Sequence, residues 1–180
     1  MERLRLSFIF PVVCLLFGMM SACKTAPTYK VTPEPTLEQS SALSEEVCLD
    51  SFLLVPKRPC ISFRGEKDNQ TGAVQYYLLY EMGTFEVDLP IGVSLKLGDV
   101  WYNLKKSNTD YSDTIVISSS IAGDLVPKIG ESKSIQVSYT SRKGTTNFQL
   151  KDAAVGKFQS SLSKLIRALE SEPKLIIQKK

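Results

Sequence analysis

Apolar and polar residues alternate along most of the chain. Val74, Tyr76, Leu78 and Tyr80 share one parity, and Gln75, Tyr77, Leu79 and Glu81 share the other. Phe85, Val87 and Leu89 alternate with Glu86 and Asp88, and Val93, Leu95 and Leu97 alternate with Ser94 and Lys96. The same pattern returns in Ile115, Ile117, Ser119 and Ile121, in Ile135, Val137 and Tyr139, and in Phe148 and Leu150. Successive strand side chains point to opposite faces, so each run predicts a strand with one buried side. Gly83, Pro90, Gly92, Gly98, Gly130 and Gly144 separate the runs as turns. Many short strands at this spacing predict a mainly β fold, a small antiparallel β-sandwich or barrel with a C-terminal amphipathic helix.

Two segments follow a helical period instead. Asp124 to Ile129 reads as a short helical turn, capped by Asp124 and stopped by Gly130. From about Ala153 to Glu170, the residues Val155, Phe158, Leu162, Leu165, Ile166 and Leu169 recur on one helical stripe. The polar face of this helix carries Ser and Gln rather than a basic band. That favours packing on a sheet face, or plugging one end of a barrel, over lying on a membrane.

The N-terminus departs from both patterns. Arg3 and Arg5 precede an apolar run from Leu6 to Met20, too short for a comfortable membrane span, which ends in Met20-Ser21-Ala22-Cys23. The last four residues resemble a bacterial lipobox, with Met in place of the more usual Leu. That resemblance implies cleavage before Cys23, diacylation of its thiol and a membrane partner through the lipid. Two or more acyl chains make release negligible, since each buried methylene contributes about 0.8 kcal/mol. Lys24 follows the cysteine, and by likeness to enterobacterial lipoproteins this points to the outer membrane. The expected division is a signal peptide over 1–22, a lipidated tether over 23–45, a β-rich domain over 46–170 and a tail over 171–180. The tether is rich in Thr, Pro, Ser and Glu and poor in large apolar residues.

Cysteine usage agrees with export. Of four cysteines, Cys14 leaves with the signal and Cys23 takes lipid, so Cys48 and Cys60 remain. In an oxidising compartment they are expected to form a disulfide, closing a loop of about 13 residues for on the order of 3 kcal/mol. Pro56-Lys57-Arg58-Pro59 reads as the turn between them.

Composition narrows the chemistry. The chain has no histidine, which removes the commonest general base and the commonest metal ligand together. A net charge of +3 is too small for the basic footprint of a nucleic-acid binder. Ser118-Ser119-Ser120 has no histidine to activate it, Ser161 and Lys164 read as helix-surface neighbours, and Glu86 and Asp88 read as strand decoration. No phosphate loop, dinucleotide fingerprint or calcium loop is present. The expectation is therefore a non-enzyme with no catalytic residues, cofactor or metal. The basic pairs Lys57-Arg58, Lys105-Lys106 and Arg142-Lys143 all fall in predicted loops. Clustered at one end of a sandwich, they form a candidate patch for an acidic surface ligand or an unknown protein; as solvated turns, they do not.

The domain also resembles the invasion-associated locus B family of exported bacterial proteins. The cysteine pair Cys48 and Cys60 brackets a hairpin-like segment, as in that family. Leu89-Pro90-Ile91-Gly92-Val93-Ser94-Leu95 matches its Leu-Pro-x-Gly-Val-x-Leu stretch. Gly156 to Leu162 resembles its closing Gly-Phe-x-x-Ala-Leu motif with one inserted residue. Two family features are absent: a second cysteine pair, and an aromatic before the first cysteine, where Val47 stands. The resemblance implies a link to contact with host cells and no enzymatic activity. Apart from it, the expectation is an anchored binding domain at the cell envelope; the alternative is a pilotin-like periplasmic assembly factor.

Overall fold

A computed structural model describes residues 32–33, 39–49, 59–83 and 89–171. Among these residues, eleven strands and two helices follow in chain order: β1 (Thr32–Pro33), β2 (Gln39–Leu43), β3 (Val47–Cys48), β4 (Cys60–Asp68), β5 (Val74–Gly83), β6 (Pro90–Leu97), β7 (Val100–Asn103), β8 (Lys105–Tyr111), β9 (Thr114–Ile121), α1 (Leu125–Glu131), β10 (Ile135–Ser141), β11 (Gly144–Gln149) and α2 (Asp152–Ser171). They form two antiparallel sheets. One is seven-stranded in the order β1-β2-β4-β5-β9-β8, with β3 also on β4, and the other is β11-β10-β6-β7. The sheets do not close into a barrel, so the sandwich alternative is the one observed.

The period-two runs of β5, β6, β9 and β10 face as expected, and β4, which no predicted run covered, joins them. Ile61 and Phe63 of β4, Leu78 and Tyr80 of β5, Ile115, Ile117 and Ile121 of β9, Val93 and Leu95 of β6, and Ile135 and Val137 of β10 fill one core. The C-terminal helix lays its stripe over β4 and β2 on the inner side of the larger sheet. Phe158 meets Phe63 with ring centroids 4.4 Å apart. Gly65 lets the helix come close, because a Cβ on it would collide with Cδ1 of Leu169 unless that side chain shifted. Beyond it, inward-facing Lys67 is only 7% exposed and its Nζ donates to the Leu169 carbonyl at 2.8 Å. That carbonyl belongs to the last turn of α2, where backbone acceptors lack helical partners and the dipole favours a cation.

Several boundaries differ from the sequence expectation. The tether was expected to run to residue 45, yet Gln39–Leu43 is a strand paired with β4 from Gln39↔Asp68 to Leu43↔Arg64. Its inward residues are small, Ser40 and Ala42, because α2 packs over this edge and leaves no room for a large apolar side chain. Lys105 and Lys106 stand on a strand, not in a loop. β8 is an edge strand exposed on most of its length and carries no apolar alternation to announce it. β7 was likewise unpredicted, and the chain passes from it through buried Leu104 into β8, changing sheets at that corner. Asp124 makes no side-chain capping bond to α1; its carboxylate pairs instead with Lys128 at 3.0 Å. Gly130 lies inside α1 rather than stopping it, and the helix ends after Glu131. Ser161 is buried rather than a surface neighbour of Lys164, whose Nζ lies 3.7 Å from Glu45. The expected strand over Phe85–Leu89 and the tail after residue 171 lie mainly or wholly outside the described residues.

β2 and β3 share one edge of β4 but differ in register by one residue. Ser44 bridges the irregularity. Its N–H donates to the Phe63 carbonyl at 2.8 Å, and its hydroxyl accepts the Phe63 N–H at 2.8 Å. The hydroxyl thus stands where regular pairing would place a carbonyl.

The outer face of the smaller sheet carries two cross-strand rows. One reads Asn103, Ser94, Ser138, Asn147, and the next reads Trp101, Lys96, Gln136, Gln149, from β7 across to β11.

Candidate functional site

At one end of the sandwich the two sheets part around a cleft of about 550 Å³. Tyr80 and Met82 enter it from β5, Tyr139 and Ser141 from β10, and Thr146 and Phe148 from β11. Tyr80 and Tyr139 stack across the gap, with centroids 5.1 Å apart and planes 6° from parallel. Lys143, in the β10–β11 turn, stands at the rim. Such a lining offers an aromatic floor, hydroxyl groups and one cation, which suits a ligand with a flat apolar part and an anionic group.

The structure divides the expected basic patch. Lys106 extends its Nζ to the Pro90 carbonyl at 2.9 Å, tying β8 to the start of β6. Pro90 pairs with Ser141, the residue before Arg142-Lys143, so Lys106, Arg142 and Lys143 belong to one region of the molecule. Lys105 is elsewhere. It lines a second hollow of about 440 Å³ with Trp101, Tyr102, Asp124 and Leu125, and pairs across the strands with Ser120. Lys57 and Arg58 lie outside the described residues, as does Cys23. The sequence signal for Lys106 and Arg142 was the dipeptide alone; their approach depends on the β6–β10 register.

Cys48 and Cys60 are joined in a disulfide, as expected, directly across the β3–β4 pair. Leu49 donates to the Pro59 carbonyl on one side of the bond. Cys48 and Cys60 are therefore a non-hydrogen-bonded pair, the kind whose side chains come closest. Glu46 and the two sulfurs lie within 4.8 Å of one another, a spacing a metal can use. With both sulfurs spent in the disulfide, neither offers a thiolate to a metal. Partial burial, then the neighbouring Glu81 carboxylate, raise the Glu46 pKa above the ordinary 4.5, with Lys157 opposing. No helix among the described residues is long and apolar enough to cross a membrane.

The fold and its cleft define a class: an open two-sheet antiparallel β-sandwich with a disulfide at one strand pair and a helix over the larger sheet. Comparison with protein-family models, with curated protein sequences and with solved structures returned no match. The likeness to the invasion-associated locus B family therefore rests on the residues quoted for it. Of these, Pro90–Leu95 lie on β6 and Gly156–Leu162 on α2.

Proposed function

We propose that this chain is a lipid-anchored protein of the bacterial cell envelope whose β-sandwich works by binding rather than by catalysis. The observation that carries the reading is the Cys48–Cys60 disulfide in the first strands of a domain that follows a lipobox-like sequence. Disulfides persist in exported proteins and are rare in the cytosol, so the bond and the N-terminal address agree. The anchor is Cys23 and the ligand region is the cleft at Tyr139, Ser141 and Lys143. An acidic surface ligand, as on a host cell, is the partner that a lysine rim suits.

The apolar part of the same cleft, Pro59, Met82 and Phe148, favours a second reading, an assembly factor that clasps an apolar segment of a partner protein in the periplasm. One experiment separates the two. Cells expressing the chain are labelled with radioactive palmitate and then shaved with protease, intact or lysed. Label on the parent and none on Cys23→Ala is the expected result. Degradation on intact cells supports surface binding; protection until lysis supports assembly inside the envelope. An unlabelled parent sinks the anchor.

A further inference from the structure

We propose that the outer face of the four-stranded sheet is a platform for an uncharged glycan chain, an N-acetylated cell-wall polysaccharide. Trp101 is its stacking ring, and the Gln136 and Asn147 amides are its hydrogen-bonding groups. The platform is separate from the cleft, and only the choice of the wall as source rests on the anchored-envelope reading.

A sheet face in water is ordinarily dressed with lysine and glutamate, and this chain has ample charge, 22 basic and 19 acidic residues. Yet in the two rows that cross the sheet, Lys96 is the one ionised side chain, and Asp99 lies 3.8 Å from its Nζ. The other positions are amides, hydroxyls and one indole. A polyanion finds no net counter-charge on such a face. An apolar helix finds one ring among amides, and burying those amides unpaired is costly. A polyhydroxyl chain meets neither objection. An amide both donates and accepts, as sugar hydroxyls and acetamido groups do, and Gln136 and Asn147 are the amides on offer, since Gln149 Nε2 already donates to Ser134 and to the Ile135 and Leu150 carbonyls and Ser138 is buried.

The geometry fits an extended chain. Four strands at about 4.8 Å spacing make each row about 14 Å long, enough to meet more than one sugar ring. Trp101 begins one row, 45% exposed on the edge strand β7, where the core does not require an aromatic. Its apolar face suits the C–H face of a pyranose and its N–H a hydroxyl. Asn147 ends the other row, exposed on β11, and Gln136 lies between. Among the described residues neither makes a side-chain hydrogen bond, while Ser94 donates to Asn103 at 2.8 Å and fixes that amide's orientation.

Trp101 is the sole tryptophan of the chain, so its emission reports on the platform directly. The full-length chain in detergent is titrated with the hexamer of N-acetylglucosamine while fluorescence is followed, and is sedimented with purified peptidoglycan sacculi. The expected result is a saturable emission change and pelleting with sacculi. Asn147→Ala and Gln136→Ala, with unchanged circular dichroism, should each weaken binding about tenfold. Arg167→Ala, exposed on α2 and away from this sheet, should leave both readouts unchanged. A folded chain that ignores both probes overturns the platform. So does full binding by Asn147→Ala and Gln136→Ala with loss only in Trp101→Ala, which would mark an edge-strand contact for a protein instead. Hexamer binding without sacculus binding overturns the wall as source. Palmitate incorporation scores the anchor separately, so an unlipidated chain that binds sacculi overturns the anchor and supports the platform.

Discussion

Ser44 and Ser119 are both buried, but their hydroxyls are in opposite situations. The Ser44 hydroxyl accepts the Phe63 N–H and donates to the Glu45 carbonyl, completing the ladder where the register slips. Ser119 is fully buried on the inner face of β9, and its hydroxyl has no hydrogen-bond partner among the described residues. Ser44→Ala leaves a buried N–H unsatisfied and should cost about 1–3 kcal/mol in a denaturant titration. Ser119→Ala removes an unpaired polar group and should change stability by about 1 kcal/mol or less, toward the more stable side. Glu46 gives a pH-dependent counterpart. Burial and then Glu81 favour its neutral form, so its folded pKa stands above the unfolded value. Its contribution to stability is therefore full below about 4.5 and is lost as pH rises through the folded pKa. Glu46→Gln should unfold at a higher temperature than the parent near neutral pH. That gap should close on acidification, and a gap independent of pH would show that the carboxylate is not its source.

At the scale of elements, the larger sheet and α2 are locked by a few contacts between strand β4 and the helix. Phe63 meets Phe158, Gly65 makes room for Leu169, and Lys67 reaches the last turn. Lys67 stands in no motif of the sequence. Its strand parity matched Ile61 and Phe63, which was the available signal that it pointed inward. Lys67→Met keeps the aliphatic stem and removes the ammonium, so it should cost about 1–3 kcal/mol. Amide exchange at the C-terminal end of α2 should accelerate with it; unchanged protection there would deny the capping role. The strands legible in the sequence by their alternation were β5, β6, β9, β10 and β11. β2, β7 and β8 were not, since their inward positions are small or their faces meet water.

For the whole molecule, the disulfide is the one covalent cross-link among the described residues. It joins β3 to β4, and the separation of 12 residues is short for a loop-closure effect. Reduction, or Cys48→Ser with Cys60→Ser, should lower stability by about 3 kcal/mol. The comparison is between midpoints of denaturant unfolding with and without reductant. An unchanged midpoint would mean that the β2–β4 pairing and α2 hold this edge unaided. The two sheets are joined by the β7–β8 corner at Leu104 and by the hydrogen bond from Lys106 to Pro90.

The sequence by itself determined the alternation that makes strands, the helical stripe of α2 and the cysteine pair. Each is written in neighbouring residues or in counts, and local physics reads them. Tertiary structure decided the rest. Whether the sheets close depends on how β7 and β8 turn at Leu104, and no periodicity encodes that turn. Lys105 and Lys106 are adjacent in sequence and part company because successive side chains on a strand face opposite ways. Trp101, Gln136 and Asn147 come from three separate strands, and only the register of β7, β6, β10 and β11 sets them on one face.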